Sequence, residues 1–201
     1  MTVKEKIIEK AIALFLRSGI RAITMDDISR EVGMSKRTIY ENFKDKDDLL
    51  RNCMIVMDIE YTKEHEAVVQ QSENIIQLVF GLMKLGIKAI NQINPLFFDD
   101  LRRYHIRVWK EVYKISAEKQ RTQTLTILRK GINQGVFRKE IDLEIVTILL
   151  MEQLRMMPDK TIFPHDKFSQ SVIFENVIIN FFRGIATKKG LELIDNLLED
   201  S

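Results

Sequence analysis

Hydrophobic residues recur along most of the chain at the three- and four-residue spacing of an amphipathic helix. The first such stripe lies within residues 3–18 and consists of Ile7, Ile8, Ala11, Leu14 and Phe15. Gly19 follows this stripe at a position where glycine commonly ends a helix. No segment shows sustained two-residue alternation rich in Val, Thr and aromatic residues, which is the pattern of a strand. The sequence therefore predicts an all-α fold.

Three residues that favour helix starts follow the first helix at short intervals, and they are Thr24, Ser35 and Asp45. Gly33 separates the first two of these capping residues. The spacing predicts a short helix at residues 25–32, a three-residue turn, and a second short helix at residues 36–43. Such a pair is a helix-turn-helix. Together with the first helix it encloses one small core, to which the pair contributes Ile28, Val32, Ile39 and Phe43.

The helical pattern continues beyond Asp45 to the end of the chain. The predicted helices span residues 46–70, 74–92, 97–134, 142–157 and 167–187, with a short acidic helix from Leu191. The pattern leaves room for an interruption near Tyr104. The 201 residues are thus predicted to form a helix-turn-helix domain at 1–46 and a larger helical domain at 47–201.

Composition narrows the class of protein but does not identify a partner. The 31 Lys and Arg residues nearly balance 29 Asp and Glu residues. A single cysteine, Cys53, excludes an internal disulfide and a cysteine cage for zinc. The three histidines lie forty residues or more apart, so the sequence predicts no metal site, and no motif predicts a cofactor. Charges interrupt the amino-terminal apolar residues, and no apolar run reaches the length of a membrane span, so we expect a cytoplasmic protein.

The second short helix carries the candidate chemistry. Because Ile39 and Phe43 share its inner face, Arg37 and Tyr40 project from the opposite, partly basic face. Lys36 and Arg37 have donors suited to guanine O6 and N7, and the Thr38 methyl group can pack against a thymine methyl. Polar groups nearby suit phosphate contacts. The predicted DNA-binding residues are Thr24, Lys36, Arg37, Thr38, Tyr40, Asn42 and Lys46. A solvated face of a small helical bundle is the alternative explanation of this pattern.

The run from Thr24 to Leu49, which includes SKRTIYENFKDKDDLL, closely resembles the DNA-binding domain of the tetracycline-repressor (TetR) family of bacterial transcriptional regulators. The matching landmarks are Thr24, Gly33, Ser35, Thr38, Tyr40, Phe43 and Lys46. The resemblance implies a three-helix amino-terminal domain, a long fourth helix, a helical ligand-binding and dimerisation domain, and operator release controlled by a ligand. It also implies DNA contacts at Lys36, Arg37, Thr38 and Tyr40, and phosphate contacts at Thr24 and Lys46. Arg37 departs from the family pattern, in which a small residue is frequent at that position.

The predicted helices at 142–157 and 167–187 have more apolar positions than a helix with one neighbour requires. A central place in a monomeric bundle explains this excess, and so does pairing with a second copy of the chain. We favour a two-fold dimer, which the family resemblance also implies. The predicted interface residues are Leu149, Phe174, Ile178 and Phe181.

A small-molecule effector is expected between the fourth helix and the middle helices, where bundles leave concave apolar space. The candidate lining residues are Met57, Tyr61, Phe80, Met83, Trp109 and Tyr113, although residues of this kind at helical spacing also form ordinary cores. Residues 101–130 contain nine basic and two acidic residues. This segment is either a solvated basic face or the site of an anionic effector.

These features predict a ligand-responsive transcriptional regulator, most simply a repressor, that binds a pseudo-palindromic operator on double-stranded DNA as a homodimer. One alternative is an architectural DNA-binding protein that responds to no ligand. Another is an all-α enzyme or lipid-binding protein in which the helix-turn-helix is incidental. The sequence contains no nucleophile elbow, phosphate-binding glycine loop or metal motif, which counts against an enzyme.

Overall fold

A computed structural model describes residues 1–157, 159, 161–164 and 166–199, apart from the side chains of residues 90, 113, 114 and 170. The helices are α1 (Val3–Ser18), α2 (Met25–Val32), α3 (Lys36–Asn42), α4 (Lys46–Gln71), α5 (Ile75–Asn91), α6 (Leu96–Tyr104), α7 (Ile106–Asn133), α8 (Leu143–Met156), α9 (Gln170–Phe174), a π-helical segment (Glu175–Ile179), α10 (Asn180–Ile185) and α11 (Lys188–Glu199). The prediction of an all-α fold is confirmed. In the described part of the chain, β-type pairing is limited to an isolated bridge between Phe137 and Ala186.

The helices form two compact units. The amino-terminal unit comprises Met1–Ala67 and Lys88–Ser116, and the carboxy-terminal unit comprises Val68–Ile87 and Ala117–Ser201. Each unit has its own hydrophobic core. Among the described helices, none has an apolar stretch long enough to cross a membrane.

The core of the amino-terminal unit joins the first three helices to α4, α6 and α7. Its largest fully buried side chains include Phe15, Phe43 and Phe97. The unit is therefore larger than the segment 1–46 that was predicted as a domain. Asn94, just before α6, is attached to the end of α1 by two hydrogen bonds. Its backbone N–H donates to the Leu16 carbonyl at 2.8 Å, and its side-chain amide donates to the Arg17 carbonyl at 2.9 Å. These carbonyls lie in the last turn of α1, where helical partners are lacking.

In the carboxy-terminal unit, the core lies between α5, the second half of α7, α8, the π-helical segment, α10 and α11. Its most buried residues include Leu128, Phe137, Ile178, Phe182 and Ile194. The start of α11 lies against the loop after α7, where a Cβ on Gly190 would approach the Val136 carbonyl oxygen to 2.2 Å. A glycine is therefore required for this close approach of helix and loop.

Three predicted helices differ in detail from those observed. The segment at 97–134 divides into α6 and α7 at His105, which has φ −127° and ψ 44°, so the interruption near Tyr104 is present. The segment at 167–187 includes one π-helical turn between α9 and α10. The last helix begins at Lys188 instead of Leu191, because the Thr187 hydroxyl accepts a hydrogen bond from the Gly190 N–H at 3.2 Å and caps it.

Cys53 lies in the core of the amino-terminal unit with 1% of its surface exposed, as the sequence predicts for a small buried hydrophobe. Burial raises the pKa of its thiol to about 12. We expect a thiol reagent at pH 8 to leave the folded protein unmodified and to label it rapidly in guanidinium chloride. Because the folded thiol keeps its proton up to about pH 12 and an exposed thiol does not, this residue lowers the free energy of unfolding as pH rises toward 12. Mass spectrometry measures the labelled fraction over time. Complete labelling of the folded protein within minutes would contradict this burial.

Candidate nucleic-acid interface

The start of α2 is fixed by reciprocal hydrogen bonds between Thr24 and Asp27. The Thr24 hydroxyl accepts from the Asp27 N–H at 3.2 Å, and the Asp27 carboxylate accepts from the Thr24 N–H at 2.9 Å. The same carboxylate accepts from the Thr24 hydroxyl, and this hydrogen bond holds the pKa of Asp27 below its usual value. Thr24 is exposed, so its outer surface is free to face a phosphate while its hydroxyl caps the helix.

The turn between α2 and α3 depends on a glycine and a buried serine. Gly33 adopts the left-handed conformation, with φ 71° and ψ 35°, and its N–H donates to the Arg30 carbonyl at 3.2 Å. The Ser29 hydroxyl donates to the Met34 carbonyl at 2.5 Å. These contacts fix the direction in which the chain enters α3. The sequence alone predicts no role for Ser29. A polar residue at an inner position of α2 indicates that its side chain needs a hydrogen-bond partner inside the fold.

α3 presents a polar ridge on a firmly held helix. Ser35 caps it, since the Ser35 hydroxyl accepts from the Thr38 N–H at 3.1 Å. Ile39 and Phe43 are buried and attach its inner face to the core. The residues that form the exposed ridge are Lys36, Arg37, Tyr40, Glu41 and Lys44. The predicted division of this helix into inner and outer faces is therefore present.

Two basic residues of the ridge form exposed ion pairs. The Arg37 Nε donates to the Glu41 carboxylate at 2.8 Å, one turn further along α3. Lys36 pairs with Asp26 in α2. Exposed pairs of this kind contribute less than about 1 kcal/mol, so a DNA base or phosphate can replace the carboxylate at small cost. Arg37 and Lys36 are thus available to a duplex even though the isolated protein pairs them internally.

Asn42 and Lys46 have internal partners that the sequence did not predict. The Asn42 amide donates to the Thr38 carbonyl at 2.8 Å within α3. The Lys46 ammonium donates to the Ile20 carbonyl at 2.6 Å and also to the Ile23 carbonyl. Burial lowers the pKa of Lys46, and the charge of Asp100 partly opposes this effect. Both side chains therefore stabilise the fold around the helix-turn-helix, and their roles as DNA contacts stay predictions.

The predicted effector residues are distributed over both units. In the amino-terminal unit, Met57 and Trp109 pack against the core, and burial raises the pKa of Tyr61. In the carboxy-terminal unit, Phe80 is buried and Met83 packs against the core. The side chain of Tyr113 lies outside the described residues. A ligand site at these positions stays a prediction.

The predicted dimer residues fall into two groups. Leu149 is 50% exposed on α8, whereas Ile178 has no exposed surface. Ile178 therefore packs in the core of its own protomer, and its place in the interface stays a prediction. Phe174 and Phe181 are partly buried, and Phe174 packs edge-to-face on Phe80 with a centroid distance of 6.0 Å.

The predicted interface residues do not include two exposed apolar residues of α8, although the sequence places both among the apolar positions of this helix. Ile145 and Ile148 lie on the same face as Leu149, and more than half of each side chain is exposed. Helical periodicity identifies both residues as apolar positions, because a helix that is apolar on two faces has apolar residues at three- and four-residue spacing on each face. The periodicity alone does not tell which face meets the protomer core.

Among the described residues, no three His, Cys, Asp or Glu side chains are placed to hold a metal ion together. His105 is adjacent to Asp47, and its Nδ1 lies within hydrogen-bond distance of that carboxylate. His65 interacts with another residue of the protein. His165 lies outside the described residues.

Comparison with known proteins supports the resemblance seen in the sequence. Residues 7–53 match the family model described as bacterial regulatory proteins, tetR family. The HTH-type transcriptional repressor KstR2 of Mycobacterium tuberculosis is 25% identical over 148 residues, covering 70% of this chain and 72% of that protein. A TetR-family transcriptional regulator from Cytophaga hutchinsonii has the same fold, with a TM-score of 0.73 at 18% identity over 92% of this chain and 96% of the other.

The chain is thus similar to TetR-family transcriptional regulators in the sequence around its helix-turn-helix and in its fold. The matching family and relatives are transcriptional regulators, which favours the predicted DNA-binding regulator over an enzyme with an incidental helix-turn-helix. A further relative is the HTH-type negative transcriptional regulator IcaR of the Staphylococcus aureus biofilm operon icaADBC, 26% identical over 115 residues, or 57% of this chain and 56% of that protein. The residues that match the TetR family model include α2, the glycine turn and α3, which together form the polar ridge.

Proposed function

We propose that this chain is a cytoplasmic repressor that binds a pseudo-palindromic operator as a homodimer and releases it when a small molecule binds. The observation that carries the proposal is the polar ridge of α3, held by buried Ile39 and Phe43 and aimed by the left-handed Gly33. The names of the relatives KstR2 and IcaR describe a repressor and a negative regulator, which supports repression over activation.

In this proposal α3 enters the major groove with its amino-terminal residues against the base edges. Lys36 and Arg37 donate to guanine O6 and N7, and the Thr38 methyl group packs against a thymine methyl. Thr38 occupies the third position of α3, so no acidic capping residue repels the DNA at this end of the helix. Tyr40 and Thr24 contact phosphates and set the register of the helix on the duplex.

The homodimer is proposed on the exposed apolar face of α8. Ile145, Ile148 and Leu149 are large, apolar and exposed on one side of this helix. Adjacent apolar side chains in water are typical of an interaction site. A homodimer built on this face would carry two copies of α3, one for each half-site of a pseudo-palindrome.

The effector acts by population shift in this proposal. A ligand that prefers a conformation in which the two α3 helices no longer match the half-site spacing lowers operator affinity by its differential binding free energy. Met57 and Trp109 are the proposed contacts in the amino-terminal unit, because both are partly buried at the edge of the core.

Replacing Arg37 with alanine tests the base-reading role. We expect the variant to bind a duplex selected by the wild-type protein from a random library about 5- to 150-fold more weakly, with relaxed base preference, because a bidentate contact to guanine contributes about 1–3 kcal/mol. Binding is measured by fluorescence anisotropy on the selected duplex and on a scrambled one.

Lys63→Ala is the matched control, because Lys63 forms a similar exposed pair with Glu60 at 2.9 Å within α4. This variant should bind both duplexes as the wild type does. Equal losses for Arg37→Ala on the selected and scrambled duplexes would show that Arg37 contributes charge only, and would contradict base reading.

A further inference from the structure

The junction between α6 and α7 lies beside the amino-terminal end of α4. His105, at the junction, pairs with Asp47 in the first turn of α4. One turn further along α4, the Arg51 Nε donates to the carboxylate of Glu111 in α7 at 2.7 Å. Because the pairs occur in the same order along both helices, α7 runs beside α4 in the same direction. The first turn of α7 is therefore level with the first turn of α4.

The same junction is attached to the connection that leads into α2. The Arg21 N–H donates to the Asp100 carboxylate at 2.8 Å, and the Arg21 guanidinium donates to the Tyr104 hydroxyl at 2.8 Å. Thr24, the cap of α2, follows Arg21 by three residues. The end of α6 and the start of α7 thus adjoin the part of the helix-turn-helix that is proposed to contact phosphates.

Three cations are exposed at this junction, and we call them the junction cations: Arg103, Arg107 and Lys110. Within the described part of the chain, none of the three pairs with a carboxylate. The nearby carboxylates, in contrast, have ion-pair or hydrogen-bond partners within the protein. Asp47 pairs with His105, Asp100 accepts from Arg21, and the Asp48 carboxylate accepts from the Lys44 N–H at 3.0 Å. The junction cations therefore leave positive charge exposed next to the helix-turn-helix.

We propose that the junction cations bind backbone phosphates of the operator outside the base pairs that α3 reads. The inference rests on the proposed operator binding and adds a second contact surface to it. Charge complementarity supports duplex DNA as the occupant, and the surface adjoins the connection into α2 through Arg21 and the start of α4 through His105. Such contacts carry no sequence information but increase affinity by releasing counterions. They would also offset the repulsion of phosphates by the acidic start of α4.

The test replaces Arg103, Arg107 and Lys110 with glutamine in the full-length protein. The control carries the same charge change at Arg129, Lys130 and Lys139, which are exposed residues of the carboxy-terminal unit. Operator affinity is measured against salt concentration on two duplexes, one trimmed to the selected base pairs and one extended at both ends. Thermal denaturation and sedimentation confirm that both variants fold and assemble as the wild type does.

On the extended duplex, we expect the junction variant to lose about 0.9 in the slope of log affinity against log salt for each phosphate contact removed, and to bind at least tenfold more weakly near 100 mM salt. The control variant should keep the wild-type slope, and the trimmed duplex should reduce the difference between the junction variant and the wild type. Equal slopes for the junction variant, the control and the wild type would overturn the inference and leave operator binding intact. Failure of the wild type to bind any duplex would instead reject the proposed function.

Discussion

Replacing Ile148 with glutamate should convert the dimer to a monomer and weaken operator binding by about two orders of magnitude or more, because a monomer loses the avidity of two linked half-sites. Ile148 is 53% exposed between Ile145 and Leu149 on α8. In the monomer the new carboxylate stays in water, so the stability of the protomer should change little. In the dimer the same carboxylate would be buried against an apolar partner without a hydrogen bond, which is costly.

Sedimentation velocity measures the mass of the variant, and anisotropy on the selected duplex measures its affinity. Ile115→Glu is the matched control, since Ile115 is an even more exposed isoleucine in the amino-terminal unit. This control should remain dimeric and bind DNA normally. A folded Ile148→Glu variant that keeps the dimer mass would show that the α8 face is not the interface.

The corresponding change at Ile178 should have a different result. Because this side chain has no exposed surface, a charge there disrupts the core of the protomer. Loss of the dimer in Ile178→Glu would accompany unfolding and would reveal nothing about the interface. The distinction shows why exposure, and not apolar character alone, selects the residue to test.

The helix-turn-helix could be predicted from the sequence because its signals act locally. Thr24 and Ser35 each bond to a backbone N–H three residues later, and Gly33 takes a left-handed conformation that other residues avoid. The inner positions Ile39 and Phe43 follow from helical periodicity alone. These features depend on residues within a few positions of one another, so the sequence pattern predicts them directly.

Features that depend on distant residues could not be predicted in this way. The Lys46 ammonium bonds to carbonyls more than twenty positions earlier, and no sequence pattern specifies that contact. The break at His105 involves neither proline nor glycine, and the residue meets Asp47 in another helix. On α8, periodicity identifies apolar positions but does not separate the buried Leu150 from the exposed Leu149. Tertiary packing decides each of these cases.

Replacing Lys46 with methionine should destabilise the amino-terminal unit by about 2–6 kcal/mol, because two carbonyl groups lose their donor and each partly buried, unsatisfied group costs about 1–3 kcal/mol. Those carbonyls belong to Ile20 and Ile23, which connect α1 to α2. Methionine preserves the length and apolar part of the side chain, so the comparison isolates the ammonium. The midpoint of thermal unfolding should fall by roughly 5–15 °C for a chain of this size.

Lys44→Met is the control, because the Lys44 side chain is exposed two residues earlier and should leave the midpoint unchanged. Circular dichroism gives the midpoints, and anisotropy well below them gives the affinity for operator and scrambled duplexes. An unchanged midpoint for Lys46→Met, with equal weakening on both duplexes, would mean that Lys46 is chiefly a phosphate contact. A lowered midpoint with a near-normal affinity at low temperature would instead show that its ammonium holds the connection between α1 and α2 in place, and that Thr24 is presented to the DNA through that connection.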